Sequence, residues 1–178
     1  EFRRVLFRSS FESQVRLGGG PLDWAQGMNR YLALNTLAEQ FATAFLARLD
    51  PVQSEMRYVV AGHEAPFRLP GGARGGLHRP EPLTGQGFML GIDEGLPFSE
   101  RTAPMQRGDR LILYTDGLVE VEREDRRLLG AEGLIKVCAE LPADADAAAD
   151  RIIEAARDFN EPAPFTDDVT LVLLDQVD

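Results

Sequence analysis

Two apolar runs, each set directly against aspartate, constrain this chain more than any other feature. The first is Leu111-Ile112-Leu113-Tyr114, followed by Thr115-Asp116-Gly117. The second, Val169-Thr170-Leu171-Val172-Leu173-Leu174, is preceded by Thr166-Asp167-Asp168. Short apolar runs rich in β-branched residues read as strands, and the closing run is apolar enough to read as a central one. A carboxylate at the end of a buried strand is strongly destabilised or protonated unless a cation compensates it. Gly117 lets the backbone turn tightly, so that the Asp116 carboxylate projects past the sheet edge. Asp167 and Asp168 point to opposite faces if extended, so only one of them enters a shared site comfortably. A lone aspartate at either place is most simply a turn or cap residue. Two strand-end acids in one chain weaken that reading. Paired oxygen ligands without a histidine or cysteine cluster select hard cations such as Mg²⁺ or Mn²⁺ and disfavour zinc.

The remaining pattern places these runs in an α+β chain. Trp24, Met28, Tyr31 and Leu32 share one helical face, which predicts a helix over 22–35. Residues 41–49 and 56–62 read as an antiparallel hairpin, and 65–69 extends the same meander. The glycines of 71–76 form a flexible loop with no lysine or helix start for a phosphate cradle. Arg107-Gly108-Asp109 is a turn entering the first apolar run. Leu134, Val137, Cys138 and Leu141 give one further helix; Ile152, Ala156 and Phe159 give another, capped by Asp144 or Asp146. Antiparallel strands with helices in separate runs argue for α+β layers and against a doubly wound sheet.

Composition narrows the function. The chain has 178 residues and a formal net charge of −10, which repels phosphate backbones and anionic headgroups and so excludes nucleic acid and membrane surfaces as partners. No window approaches the ~18 uninterrupted apolar residues of a membrane span, and no secretory leader is recognisable. The single cysteine, Cys138, lies in an apolar stretch and reads as a small buried side chain, in keeping with a reducing, cytoplasmic compartment. Residues 1–10, Glu-Phe-Arg-Arg-Val-Leu-Phe-Arg-Ser-Ser, join no recognisable cap or strand pattern and read as a non-native leader ahead of a domain spanning 11–178.

The segment Gly108-Asp109-Arg110-Leu111-Ile112-Leu113-Tyr114-Thr115-Asp116-Gly117-Leu118-Val119-Glu120 resembles the signature of SpoIIE/RsbU-like members of the PPM (protein phosphatase 2C-like) family. Three more segments agree in order: Tyr58-Val59-Val60-Ala61-Gly62-His63-Glu64-Ala65-Pro66, Gly87-Phe88-Met89-Leu90-Gly91-Ile92 and Phe165-Thr166-Asp167-Asp168-Val169-Thr170. The resemblance implies a PPM-type four-layer α-β-β-α sandwich, here without its first strands and part of its first helix. It also implies a protein serine/threonine phosphatase with two Mn²⁺ or Mg²⁺ ions in the complete domain. Asp116, Gly117, Asp167 and Asp168 fall at its metal site, with Asp167 favoured over Asp168. In such chemistry two cations bind the phosphate oxygens and acidify a shared water for in-line attack.

The substrate class implied is a phosphorylated regulatory protein of the anti-sigma-factor-antagonist type, and a homodimer is compatible. Glu120 is placed to orient metal-bound water or to be an exposed helix-face acid; His63 serves packing and the turn, or acid–base work beside the metals. Members of the family also carry an aspartate followed by glycine on strands ahead of the first long helix, the ligand expected to bridge the two metals. No such segment occurs here, and Asp23 starts a different helix, so the chain as given is expected to be weak or inactive. A pseudophosphatase that binds its partner without hydrolysis is the alternative. A response-regulator pocket would require alternating parallel strands and helices.

Overall fold

A computed structural model describes residues 2–35, 40–160 and 165–177. In chain order its elements are α1 (Phe2–Leu17), α2 (Pro21–Asn35), β1 (Ala44–Asp50), β2 (Glu55–Ala61), β3 (Phe67–Leu69), β4 (Glu81–Pro82), β5 (Arg101–Pro104), β6 (Arg110–Tyr114), α3 (Gly130–Cys138), α4 (Ala145–Asn160) and β7 (Leu171–Asp175). Short 3-10 turns lie at Gly72–Arg74 and Asp116–Leu118. Among the described residues these strands pair with one another antiparallel throughout, as the α+β reading expects. The chain divides into two compact units, one of residues up to His63 plus Thr84–Pro104, the other of Glu64–Leu83 plus the remainder from Met105.

The first unit is a three-stranded sheet in the order β1-β2-β5 with α1 and α2. The predicted hairpin is present, with Ala44 opposite Ala61 and Asp50 opposite Glu55. Helix α2 buries Trp24, Ala25, Met28 and Leu32, a stripe that meets Ala44, Leu46, Val59 and Ala61 of the sheet in one apolar cluster. Its start is held by Asp23, whose carboxylate accepts the Gly20 N–H at 2.8 Å. Asn29, almost fully buried, is satisfied by the Asp93 carbonyl and the Gly91 N–H, each at 2.8 Å. Helix α1 runs from Phe2 to Leu17, and Phe11 sets its ring edge-on against Trp24 at 5.9 Å.

The second unit is a four-stranded sheet, β4-β3-β6-β7, with α3 and α4. Its core joins Phe67, Leu69, Ile112 and Tyr114 of the sheet to Leu134, Cys138, Ile152 and Ala156 of the helices. Asp144 caps α4 by accepting the Ala147 N–H at 2.8 Å. Cys138 is fully buried and free, and burial pushes its thiol up to about 12, so it is a core side chain and not a redox centre.

Two sequence expectations are corrected here. Residues 67–69 do not extend the β1–β2 meander; β5 takes that place, and β3 pairs with β4 and β6. The chain turns away after β2 at Gly62, which adopts φ +65 and where a Cβ would lie 2.5 Å from the Met89 side chain, and β3 then finds its partners in the other sheet. The closing strand β7 is an edge and not a centre: among the described residues it pairs with β6 alone, and on its outward face Val172 is 48% and Leu174 38% exposed. Leu171 and Leu173 pack on the core while their neighbours face away, the ordinary alternation of a strand covered on one face.

Candidate metal site at the end of strand β6

Strand β6 enters its sheet through buried charge. The Asp109 carboxylate, 3% exposed, accepts hydrogen bonds from Arg68 Nε (3.0 Å) and Nη2 (2.6 Å) and from the N–H groups of Gly71 (2.9 Å) and Gln106 (2.7 Å). Arg110, fully buried, makes a bidentate pair with Asp175 at 2.6 and 2.8 Å and donates to the Pro142 and Ala143 carbonyls. These contacts fix the strand's start and its register against β7. The sequence pattern shows only a turn there, because Arg68 and Asp175 lie far away along the chain.

At its other end β6 stops at Tyr114, which donates its hydroxyl to the Ala65 carbonyl at 3.0 Å and stacks on Phe67 at 5.5 Å. Burial, with a smaller contribution from Glu64, raises the Tyr114 phenol well above its usual value, so it is no acid near neutrality. Thr115 is extended, and Asp116 then opens the 3-10 turn. The turn is self-closed: the Asp116 carbonyl accepts the N–H groups of Val119 and Glu120, both at 2.8 Å, and its carboxylate accepts the Gly117 N–H at 3.0 Å. Leu118 anchors it in the core while Asp116 stays exposed.

The same turn lies against the second acidic site. A Cβ on Gly117 would stand 2.6 Å from the Asp168 carbonyl oxygen, so only glycine permits this approach. Thr115 donates its N–H to the Thr170 carbonyl at 3.1 Å; its hydroxyl accepts the Thr170 N–H at 2.9 Å and reaches the Asp168 carbonyl at 3.2 Å. Asp167 sits in a bend and accepts the Asp168 N–H at 2.7 Å, and both aspartates are exposed. The fold therefore brings Asp116, Gly117, Asp167 and Asp168 together. Their carboxylates are not buried, contrary to the sequence expectation, because Asp116 occupies a surface turn and the Asp167–Asp168 pair a surface bend.

Glu120 is exposed one turn beyond Asp116, tied to it through the backbone. His63 is half-buried at the end of the first unit. His78 donates its backbone N–H to the Ala139 carbonyl at 2.7 Å, and its Nε2 is buried with no hydrogen-bond partner. Thr115 is the site residue for which the sequence pattern gave no role; a polar β-branched residue at a strand end is the signal it leaves.

The donor set at the two turns is oxygen alone, the aspartate carboxylates and backbone carbonyls such as that of Gly117, which fits a hard dication retaining several waters. It does not close a cage: among the described residues no three histidine, cysteine or acidic side chains converge on one point.

The α+β chain with its antiparallel sheets matches the PP2C fold of solved domains. The SiaA-PP2C domain of Pseudomonas aeruginosa superposes with a TM-score of 0.82 at 15% identity, covering 98% of this chain and 68% of that one. The PP2C phosphatase domain of SpoIIE from Bacillus subtilis, solved with a fragment of its regulatory domain, gives 0.76 at 18% identity, covering 94% and 47%. A model of the family Stage II sporulation protein E (SpoIIE) matches residues 4–176, and the chain belongs to that family. Phosphoserine phosphatase RsbU of Bacillus subtilis (strain 168) is 24% identical over 115 residues, which are 65% of this chain. The match spans about a third of RsbU's length, 33%. No helix among the described residues is long and apolar enough to cross a membrane.

Proposed function

We propose that this chain is the phosphatase portion of a metal-dependent protein serine/threonine phosphatase acting on a phosphorylated regulatory protein of the anti-sigma-factor-antagonist type. The observation that carries the reading is the approach of Gly117 to Asp168, which sets the Asp116 and Asp167–Asp168 turns side by side. The likeness to RsbU, named as a phosphoserine phosphatase, supports the reaction class. Manganese or magnesium is the expected ion: one structure of the SpoIIE phosphatase domain is of a manganese-presoaked form, and RsbX was solved in complex with magnesium.

Bound dications supply Lewis acidity toward phosphate oxygens and lower the pKa of a coordinated water. Asp116 and Asp167 would hold them, with Asp168 a second donor in the same bend. The closed hydrogen bonds of the Asp116 turn keep that carboxylate presented without a change of backbone. Glu120 would orient water from the next turn. Hydrolysis needs no nucleophilic side chain in this scheme. We place the working compartment in the cytoplasm.

A pseudophosphatase is the second reading, favoured by the open donor set among the described residues. Mn²⁺-dependent hydrolysis of a phosphoserine peptide by the full-length protein separates the two. We expect turnover that falls by about a hundredfold or more in Asp116→Ala, at or beyond the upper end of what residues supporting metal ligands contribute. Equal rates would remove Asp116 from the site, and no turnover by the natural protein would leave the binding-module reading.

A further inference from the structure

We propose that Thr115 is a positioning residue whose hydroxyl sets the spacing between the Asp116 turn and the Asp167–Asp168 bend, and so the geometry in which their carboxylates receive a dication. The proposal rests on the metal-site reading above.

Regular pairing of β6 with β7 ends at Tyr114 opposite Leu171. One step further, the Thr115 N–H still donates to the Thr170 carbonyl, but Thr170 returns its N–H to the Thr115 hydroxyl. In a regular antiparallel pair that N–H would go to the backbone carbonyl opposite. The hydroxyl thus replaces the ladder at the point where β6 leaves it to enter the 3-10 turn. A hydroxyl has one donor and two acceptor positions. Here the acceptor takes Thr170 and the donor reaches the Asp168 carbonyl, so one side chain grips the opposite strand on both sides of Val169. Gly117 adds the second point of contact two residues on, against the same Asp168 carbonyl. Two contacts on one peptide fix the bend in distance and orientation; either alone would leave it free to pivot. Packing does not explain the choice of residue, because valine has the same branched shape and the same restricted χ1 but neither hydrogen bond.

The test compares Thr115→Val and Thr115→Ser with the unaltered full-length protein by Mn²⁺ titration calorimetry and by amide exchange in metal-free buffer. Thr115→Val is expected to weaken Mn²⁺ binding about tenfold, the low end of what supporting residues around metal ligands contribute. It should also speed exchange of the Thr170 amide by about tenfold while core amides keep their protection. Thr115→Ser, which keeps the hydroxyl, should recover both to within about twofold. Wild-type Mn²⁺ affinity in Thr115→Val, failure of serine to restore it, or equal loss of protection across the core would overturn the proposal. If the unaltered protein binds no Mn²⁺, the metal reading fails by itself. The exchange arm then decides the spacing role: Thr170 unchanged in Thr115→Val refutes it, and Thr170 released with serine rescue upholds it.

Discussion

At its N-terminal end strand β6 carries Asp109 and Arg110 into the interior, and just past its C-terminal end it releases Asp116 to the surface. The inner charges are answered inside the unit, Asp109 by Arg68 and two backbone N–H groups, Arg110 by Asp175 and two carbonyls. Among the described residues no basic side chain pairs with Asp116, Asp167 or Asp168; the Asp116 and Asp167 carboxylates each accept the N–H of the following residue. Charge compensated within the fold holds the strand in register. Charge held in place by short turns, with no internal partner, is disposed to take its counter-ion from outside. One strand thus has one end whose charge is compensated within the fold and another whose neighbouring charge is not.

The largest effect is expected at the compensated end. Asp109→Ala strands the buried Arg68 guanidinium and two N–H groups, and should cost about 3–5 kcal/mol in urea denaturation. A loss under about 1 kcal/mol would mean that water reaches Arg68, and the contrast between the two ends would shrink. Replacing Arg110 and Asp175 together by Met and Leu should cost much less than removing Asp175 alone, since no unpaired charge remains.

Gly117→Ala comes next. Its Cβ meets backbone, the Asp168 carbonyl at 2.6 Å, so the two turns must separate. We expect a loss of about 1–3 kcal/mol, with Mn²⁺ affinity falling together with it. Stability lost with affinity kept would uncouple the close approach from the site.

Cys138, in the core beneath the strand, gives an independent reading through pH. Burial raises its thiol from 9.0 to about 12, so between those values the unfolded chain releases a proton that the folded chain retains. Stability is therefore complete below pH 9 and falls as pH rises toward 12, by at most about 1.4 kcal/mol per pH unit from this group. Cys138→Ala should flatten that part of the alkaline slope in denaturant melts. An unchanged slope would show that the thiol is not buried as described.

What the sequence could show follows from the range of its interactions. Helix α2, the β1–β2 hairpin and the α4 face were legible because their periods are local; the same pattern left Asp144 or Asp146 as the α4 cap, of which Asp144 makes the bond, and it carried α3 to Leu141 although the helix ends at Cys138. The transfer of residues 67–69 to the other sheet was not, since it depends on Gly62 meeting Met89 and on pairing with a strand some forty residues away. The edge position of β7 was hidden for a similar reason: composition reports how apolar a strand is, not which neighbours it finds. Asp116 and Asp167 stood out as acids at strand ends, and resemblance to a family set the expectation that they share one site. Their exposure, the buried pairs of Asp109 and Arg110 and the grip of Thr115 all arise from partners distant in sequence, which no local pattern encodes.

The claim that the acids beyond β6 serve an external cation and not the fold is tested most directly by Asp116→Asn. Asparagine keeps an oxygen for the Gly117 N–H and removes the charge. Urea denaturation of the full-length protein and this variant, in chelator and in Mn²⁺, is the measurement. The expected result is equal stability in chelator, within about 0.5 kcal/mol, with the stabilisation by Mn²⁺ confined to the unaltered protein. Stability lost in chelator, or a Mn²⁺ shift as large in the variant, would contradict the account.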